Sequence, residues 1–156
     1  PQLTRTGYET EPSMEALSKM SIQELEHVEN FVIKNKHAKI IFEGKTDLRT
    51  LDLDRIVNIQ EKMVINILNS FTQYNYYLLI NQLVEVYPDR SAAPPLGKGL
   101  NKPATIVYFN WTLPKKFNRP LEEYKVKLKG WAESKNTVFN YYNPEKAEFS
   151  IKVQHF

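Results

Sequence analysis

Short runs of strand-forming residues, separated by turns, constrain the fold of this chain more than any other feature. The last run is the clearest, because Phe149, Ile151 and Val153 alternate with polar residues, as in a half-buried strand. The other runs are rich in β-branched and aromatic side chains, which favour strands, and they span residues 28–33, 40–42, 84–87, 105–111 and 138–142. A turn at 143–146 joins the last two runs into a predicted hairpin.

Helical spacing predicts two further elements. Residues 12–20 begin with Ser13, a good N-cap, and then repeat apolar side chains at Met14, Leu17 and Met20. Residues 121–131 place Leu121, Tyr124, Leu128 and Trp131 on one face of an amphipathic helix; the stretch 48–57 fits either a short helix or an irregular packed segment. The sequence therefore predicts an α+β domain, with a mainly antiparallel sheet flanked by short helices.

Composition excludes several kinds of site. The chain has 156 residues, which fits one domain, and it has no cysteine, so disulfides and thiolate metal sites are excluded. The histidines lie far apart, without the spacing of a zinc motif, and we predict neither a metal nor a cofactor. Because the chain begins at Pro1 and has no signal peptide, we interpret it as an excised fragment or a mature product.

The charge balance leaves RNA binding as a weak alternative. The formal net charge is only +3, and nucleic-acid binding usually needs a clustered basic patch. The sequence pI of about 9.0 and the aromatic content keep direct RNA binding open as an alternative to protein binding.

Residues 63–84 contain no charged side chain, although both flanks are charged. A run of this length raises the question of a membrane span. The run contains many amide and hydroxyl side chains, among them Asn66, Asn69, Ser70 and Gln73, and it is too polar to span a bilayer. We predict a long hairpin or an inserted loop, and no membrane association.

Several motifs in order along the chain resemble the nucleoporin autoproteolytic domain family. They are GYETEPS at 7–13, IFEGKTDL at 41–48, LDLDRIV at 51–57, VEVYPD at 84–89, PPLGKGLN at 94–101 and FSIKVQHF at 149–156. Each motif is weak alone, but the proline–glycine loop together with the His-Phe terminus is specific. The resemblance covers residues 7–156 and is to the yeast-type members that end at His-Phe.

The resemblance implies a pore-anchoring role. Members are FG- or GLFG-repeat nucleoporins, and this folded domain fastens their disordered repeat arms to the scaffold of the nuclear pore complex in the nuclear envelope. The implied fold is a β-sandwich-like domain with flanking helices, and the implied role supports nucleocytoplasmic transport and mRNA export. The implied partners are a β-propeller nucleoporin of the cytoplasmic-side export complex and the N-terminal segment of a downstream nucleoporin. The alternative is an active self-cleaving autoprotease.

The resemblance also marks residues 63–83 as an insertion. Members usually run almost directly from a segment like 58–62 into the strand like 84–87. We therefore predict one domain over 1–156, with a peripheral insertion at 63–83 that is not part of the core.

The His-Phe end carries the chemistry that the resemblance implies. Self-cleaving members have Ser or Thr after Phe, and its hydroxyl attacks the preceding carbonyl while His removes the proton. Here His155 and Phe156 match that motif, but no hydroxyl residue follows Phe156 in this sequence. We therefore interpret His155 and Phe156 as the remnant of an autoproteolytic site and predict no enzymatic activity in this form.

Partner-binding residues are predicted at two places. Lys115, Lys116 and Arg119 lie in a loop between a strong strand and a helix, where binding residues are common, although a plain solvated loop is an equal alternative. Phe156 is expected to fill an apolar pocket, with His155 on the same face as the buried side chains of the last strand.

One charged cluster has a plain structural interpretation. Asp52 and Asp54 lie two residues apart, beside Arg55, and we expect a solvated ion pair rather than a catalytic pair of carboxylates.

Overall fold

The computed structural model describes residues 1–61, 64–68, 75–79, 83–115 and 117–156, with the backbone alone for 64–68 and 75–79. The strands are β1 Glu9–Glu11, β2 Val28–Glu29, β3 Val32–Lys34, β4 Ala38–Phe42, β5 Lys45–Thr46, β6 Val57–Ile59, β7 Val64–Leu68, β8 Asn75–Leu79, β9 Val84–Val86, β10 Ala104–Tyr108, β11 Val138–Asn143 and β12 Glu148–Val153. The helices are α1 Met14–Ser18, α2 Ile22–Leu25, α3 Leu53–Ile56 and α4 Leu121–Ser134, and a 3₁₀ turn spans Arg90–Ala92.

A six-stranded antiparallel sheet is the main element of the fold, in the order β1-β3-β4-β10-β12-β11. In its centre Ile106 of β10 lies opposite Ile40 of β4 on one side and Ile151 of β12 on the other. All three isoleucines are buried, so one face of the sheet carries an apolar row across three strands. The α+β class with a large antiparallel sheet and short helices is confirmed.

Hydroxyl caps start the short helices near the N-terminus. Ser13 accepts a hydrogen bond from the backbone N–H of Ala16 at 3.1 Å, which confirms the predicted start of α1. Ser21 and Glu24 form a reciprocal capping box at the start of α2. Each cap satisfies helix N–H groups that have no partner within the helix.

Helix α4 packs against the C-terminal hairpin around Phe149. The ring of Phe149 lies 4.9 Å from Trp111, 5.6 Å from Tyr108 and 5.8 Å from Trp131, measured between ring centroids. Phe149 is fully buried, and Trp131 belongs to the apolar face predicted for this helix. The helix therefore covers the sheet where β10 and β12 carry their largest rings.

Two-stranded pairs complete the fold: β2 with β5, β6 with β9, and β7 with β8. The hairpin β7–β8 falls within the predicted insertion, and in the described part of the chain its strands pair with each other. Leu83, which we had placed at the end of the insertion, is 3% exposed and belongs to the core. Leu83 therefore belongs to the core and not to the predicted insertion. Within the described ranges, no helix is long and apolar enough to cross a bilayer.

Candidate functional site

Phe156 is packed against the core rather than free in solvent. Its ring lies 5.8 Å from that of Phe42, the last residue of β4, and the side chain is partly buried. The ring of Phe42 in turn stacks on Phe31 at 6.1 Å. Phe156 therefore extends the buried aromatic cluster formed by Phe31 and Phe42. The sequence predicts that Phe156 fills an apolar pocket, and its ring packs against this cluster.

Two side chains bind the backbone of Phe156. Its N–H donates to Asn101 Oδ1 at 3.0 Å, and its carbonyl oxygen accepts from Arg90 Nη2 at 3.0 Å. Asn101 is 6% exposed, whereas Arg90 lies at the surface. The backbone of the His-Phe motif is thus fixed at one point inside the protein and at one point in contact with solvent.

The proline–glycine loop, residues 94–101, is built to present Asn101. Asn101 Nδ2 donates to the Pro94 carbonyl at 2.8 Å, and the Asn101 carbonyl accepts from Gly97 N–H at 2.7 Å. These bonds fix the side-chain amide, so its oxygen faces Phe156 without further ordering. The sequence had singled out this loop as a motif but had not singled out Asn101.

Arg90 is positioned by the turn that follows β9. Asp89 Oδ1 accepts from the backbone N–H of Ser91 at 3.1 Å and from its hydroxyl at 2.6 Å. The Ser91 hydroxyl bond is the main reason that the pKa of Asp89 lies below its ordinary value. No pattern in the sequence had pointed to Arg90, because its partner lies 66 residues away.

Tyr87 connects the turn that bears Arg90 with the loop that bears Asn101. It is 4% exposed and has a left-handed backbone, with φ of 57°. Its hydroxyl accepts from the Leu100 N–H at 3.0 Å, one residue before Asn101. A buried tyrosine in this conformation is strained, and such strain is common at functional sites. Tyr87 therefore ties the turn that bears Arg90 to the loop that bears Asn101.

His155 does not share the environment of Phe156. The side chain is exposed, while Phe149, Ile151 and Val153 are buried. The prediction that His155 continues their face is wrong, because β12 ends at Val153, opposite Ala104. Pro103 precedes Ala104 and has no N–H to extend the ladder.

A cavity of about 650 Å³ borders the chain end. We call it the terminal groove, and its lining includes Val84, Val86, Arg90, Trp131, Val153 and Phe156. The indole N–H of Trp131 is buried and has no hydrogen-bond partner among the described residues. Buried N–H groups are normally bonded, so Trp131 is a residue of the groove lining whose hydrogen-bonding capacity is not satisfied by the described residues.

The basic loop before α4, which contains Lys115, Lys116 and Arg119, is a separate region from the terminal groove. Lys115 is exposed, Lys116 lies outside the described residues, and neither Lys115 nor Arg119 lines the terminal groove. Arg119 Nε donates to Glu123 Oε2 at 2.7 Å. The carboxylate of Glu123, in the first turn of α4, therefore balances part of the charge of Arg119. Phe117 anchors the loop by packing on Tyr124, with 5.3 Å between ring centroids.

The described residues contain no cluster of His, Asp and Glu that could hold a metal ion.

Comparison with known proteins identifies the family. The model of the family described as Nup98-96 autopeptidase S59 matches residues 5–156. The chain belongs to this family. Relatives include the nuclear pore complex protein NUP98A of Arabidopsis thaliana, 30% identical over 100% of this chain, and Nup98-Nup96 of Dictyostelium discoideum, 31% identical over 100%. The chain spans 14% and 7% of the lengths of these two relatives.

Solved structures agree with the family assignment. The Nup145N APD of Chaetomium thermophilum, solved as a mutant fused to Nup145C N, is 25% identical, with a TM-score of 0.71 over 96% of this chain and 94% of that one. The C-terminal domain of NUP116 from Candida glabrata is 27% identical, with a TM-score of 0.65 over 99% and 93%. A chain of the yeast Nup82-Nup159-Nup116 complex is 21% identical and has the same fold, with a TM-score of 0.68 over 97% and 98%. The relatives are nuclear pore proteins, and the nuclear pore complex is the location of this family.

Proposed function

We propose that this chain fastens a larger nucleoporin to the nuclear pore scaffold by binding other nucleoporins. The observation that carries the proposal is the terminal groove, which is lined by apolar side chains of β9 and β12 and by Trp131, whose buried indole N–H has no partner among the described residues. An extended segment of a downstream nucleoporin suits such a groove, because its backbone carbonyl groups are acceptors and its side chains can contact the apolar lining. The fusion of the Chaetomium relative to Nup145C N supports a nucleoporin segment as the occupant.

The edge of β9 supports the same occupant. β9 pairs with β6 along one edge, and no described strand pairs with its other edge. A strand edge of this kind offers backbone N–H and C=O groups to an added strand. Main-chain hydrogen bonds would supply affinity, and the apolar lining would select the side chains.

Binding of a downstream nucleoporin segment tests the groove. Trp131→Phe keeps an aromatic ring but removes the indole N–H, and we expect the dissociation constant to rise by about 5-fold, as for one lost hydrogen bond. Tyr141→Phe is the control, since Tyr141 is exposed on β11 and does not line the groove. Isothermal titration with the synthetic segment provides the measurement. Equal loss in both variants, or no binding by the unmodified chain, would contradict the proposal.

The basic loop is the second proposed docking surface, for a β-propeller nucleoporin. Reversing Lys115 and Lys116 to Glu is expected to slow association by about 10-fold at low salt, because charge steers encounter. The control reverses Lys146 and Lys152, which are exposed and give the same change of net charge. Surface plasmon resonance at two salt concentrations separates the two outcomes. If both double variants associate at the same rate, the loop is merely solvated.

Self-cleavage remains the alternative function, and one observation favours it. The backbone oxygen of Phe156, which stands in for the carbonyl oxygen of an extended chain, lies 3.0 Å from a cationic donor, Arg90 Nη2. A chain extended by Ser and a short tail is expected to lose that tail, as measured by intact mass, and His155→Gln is expected to prevent the loss. An intact extended chain after prolonged incubation would exclude this function.

Direct RNA binding is the third candidate. It predicts affinity that falls steeply with salt, because counterions are released when phosphates are neutralised. A salt titration with a labelled oligonucleotide separates this outcome from a protein interface.

A further inference from the structure

Arg90 and Asn101 hold the two polar groups of one residue, Phe156, from different segments of the chain. Asn101 Oδ1 accepts from the Phe156 N–H, and Arg90 Nη2 donates to the backbone oxygen of Phe156, both at 3.0 Å. Phe156 is the last residue of the sequence, so this oxygen belongs to a terminal carboxyl group and stands in for the carbonyl oxygen of a chain that continues. Asn101 and Arg90 lie 55 and 66 residues away from Phe156 in sequence. The pair therefore fixes the orientation of the carbonyl that precedes any bond after Phe156.

The acceptor oxygen of the Asn101 side chain, Oδ1, is held in position by bonds that do not involve Phe156. The other polar atom of the side chain, Nδ2, is already used by the Pro94 carbonyl, and the residue is 6% exposed. An amide fixed in this way leaves its oxygen to one partner, which is the Phe156 N–H. This bond fixes the plane of the His155–Phe156 peptide group, which directly precedes the Cα of Phe156.

Arg90 meets the geometric requirement for stabilising an oxyanion. Donors in such sites lie about 2.7–3.1 Å from the oxygen on which charge develops. The Arg90 Nη2 to Phe156 oxygen distance is within that range, and Arg90 is held by the Asp89–Ser91 turn. A guanidinium bears full charge at neutral pH, so this donor strengthens as the oxygen becomes negative.

We propose that Arg90 is a catalytic residue of self-cleavage, stabilising negative charge on the Phe156 carbonyl oxygen, and that Asn101 is the positioning residue that holds the adjoining His155–Phe156 peptide group. The inference rests on the self-cleaving alternative of the proposed function and applies to a chain in which Ser or Thr follows Phe156. Neither residue belongs to the His-Phe motif.

The chemistry balances without a cofactor. The hydroxyl oxygen of the following Ser or Thr attacks the carbonyl carbon of Phe156, and the carbonyl oxygen takes the negative charge at Arg90. The C–N bond then breaks, the hydroxyl proton passes to the leaving amine, and an ester forms. Water cleaves the ester to give the Phe156 carboxylate and the free hydroxyl. Arg90 then pairs with one oxygen of that carboxylate.

The cleavage rate of an extended chain tests the catalytic assignment. In a chain extended by Ser and a short tail, Arg90→Ala is expected to slow cleavage by about 10-fold, at the weak end for a lost oxyanion donor because Arg90 is exposed to solvent. Arg90→Lys is expected to restore part of the rate, since it keeps the charge. Arg55→Ala is the matched control, because Arg55 is also an exposed arginine and does not line the terminal groove. Cleavage at the unmodified rate in Arg90→Ala, or no cleavage in the unmodified extended chain, overturns the catalytic assignment.

The hydrogen bonds of Phe156 to Arg90 and Asn101 form a clamp on this residue. Release of Phe156 by carboxypeptidase, measured on the chain of residues 1–156, tests the clamp separately from cleavage. Arg90→Ala and Asn101→Ala are each expected to speed release several-fold, while Arg55→Ala leaves the rate unchanged. Melting temperatures measured alongside show whether each variant remains folded, and Asn101→Asp is a second variant if Asn101→Ala unfolds. Equal release from all variants that remain folded overturns the clamp. The anchoring proposal is tested separately, by binding of a nucleoporin segment and of a β-propeller nucleoporin, so its failure is distinguishable from failure of the clamp.

Discussion

Asp54 ties the first residues of the chain to α3. Its carboxylate accepts from the Thr4 N–H at 2.9 Å, from the Thr4 hydroxyl at 2.8 Å and from the Arg5 N–H at 3.1 Å. The expected ion pair with Arg55 is wrong for Asp54, which lies against Arg5 instead, with Nε to Oδ1 at 3.6 Å. A pairing 49 residues away in sequence is invisible to any local pattern.

These bonds predict a pH dependence of stability. The Thr4 hydroxyl bond is the largest cause that lowers the pKa of Asp54 from 3.8 to about 2. Because the folded-state pKa is below the unfolded one, the contribution to stability is full above about pH 4 and is lost as the pH falls towards 2. Urea unfolding across this range should show a smaller loss of stability in Asp54→Asn than in the unmodified chain. Identical pH profiles would mean that the carboxylate does not hold this segment.

Gly99 is required where the proline–glycine loop meets Tyr87. Its φ is +53°, and a Cβ added there would lie 2.5 Å from the Tyr87 hydroxyl oxygen. Gly99→Ala is therefore expected to destabilise the domain by about 1–3 kcal/mol, through backbone strain and displacement of the tyrosine. Urea unfolding measures the change.

Gly130 provides the opposite control. It lies within α4, where an added Cβ would meet nothing within 4 Å. Gly130→Ala is expected to stabilise the domain by about 0.5–1 kcal/mol, because alanine loses less entropy in a helix. If the two alanine substitutions have the same effect, the close approach at Tyr87 does not matter.

At the scale of elements, the pair β6–β9 flanks the hairpin β7–β8 in sequence. In that pair Ile59 lies opposite Val84, and the Gln60 N–H donates to the Leu83 carbonyl at 2.8 Å. Ile59 and Leu83 are both buried. The core thus ends at the Gln60–Leu83 pair, a position suited to a tight turn.

Replacing residues 61–82 by Asn-Gly should leave the domain folded. A two-residue turn of this composition matches the twist of a hairpin, and a long loop costs little in closure entropy. We expect the melting temperature to stay the same or rise, as measured by thermal unfolding followed by circular dichroism. Loss of cooperative unfolding would show that the segment belongs to the core.

The boundary at Leu83 has its own control. Leu83→Ala in the shortened chain is expected to cost about 2–4 kcal/mol, since it leaves a cavity in the core. If Leu83→Ala has no effect on stability, the core resumes at a residue after Leu83.

At the scale of the whole molecule, two of the family motifs, at 41–48 and 149–156, meet where Phe42 contacts Phe156. The ring of Phe156 closes over Phe42, and its backbone is held by Asn101 and Arg90. Three segments that are distant in sequence therefore depend on the last residue for part of their packing.

Deleting His155 and Phe156 should lower stability. Full burial of a Phe side chain contributes about 1.5–3 kcal/mol, and partial burial less. For a domain of this size, about 1 kcal/mol shifts the melting temperature by about 2–4 °C, so we expect a drop of a few degrees in differential scanning calorimetry. His155→Ala is the control, because the exposed histidine should not affect the melting temperature. If the truncated chain melts at the same temperature as the full chain, the packing of Phe156 contributes nothing to the fold.

Local patterns predicted the elements of this protein well. The alternation at Phe149, Ile151 and Val153 predicted β12, and the spacing of Leu121 to Trp131 predicted α4. Both periods are set by backbone geometry within a few residues, so they can be read without knowing what the element packs against. The same motifs, taken in order, were enough to indicate the family.

Only the tertiary structure decided how the chain end is held. Arg90, Asn101 and Phe156 meet because the turn after β9 and the proline–glycine loop lie beside the end of β12, at sequence separations of 55 and 66 residues. Likewise, the exposure of His155 follows from where β10 begins, and not from the alternation within β12. A hydrogen bond between distant segments depends on the packing of the whole sheet, and no local period records it.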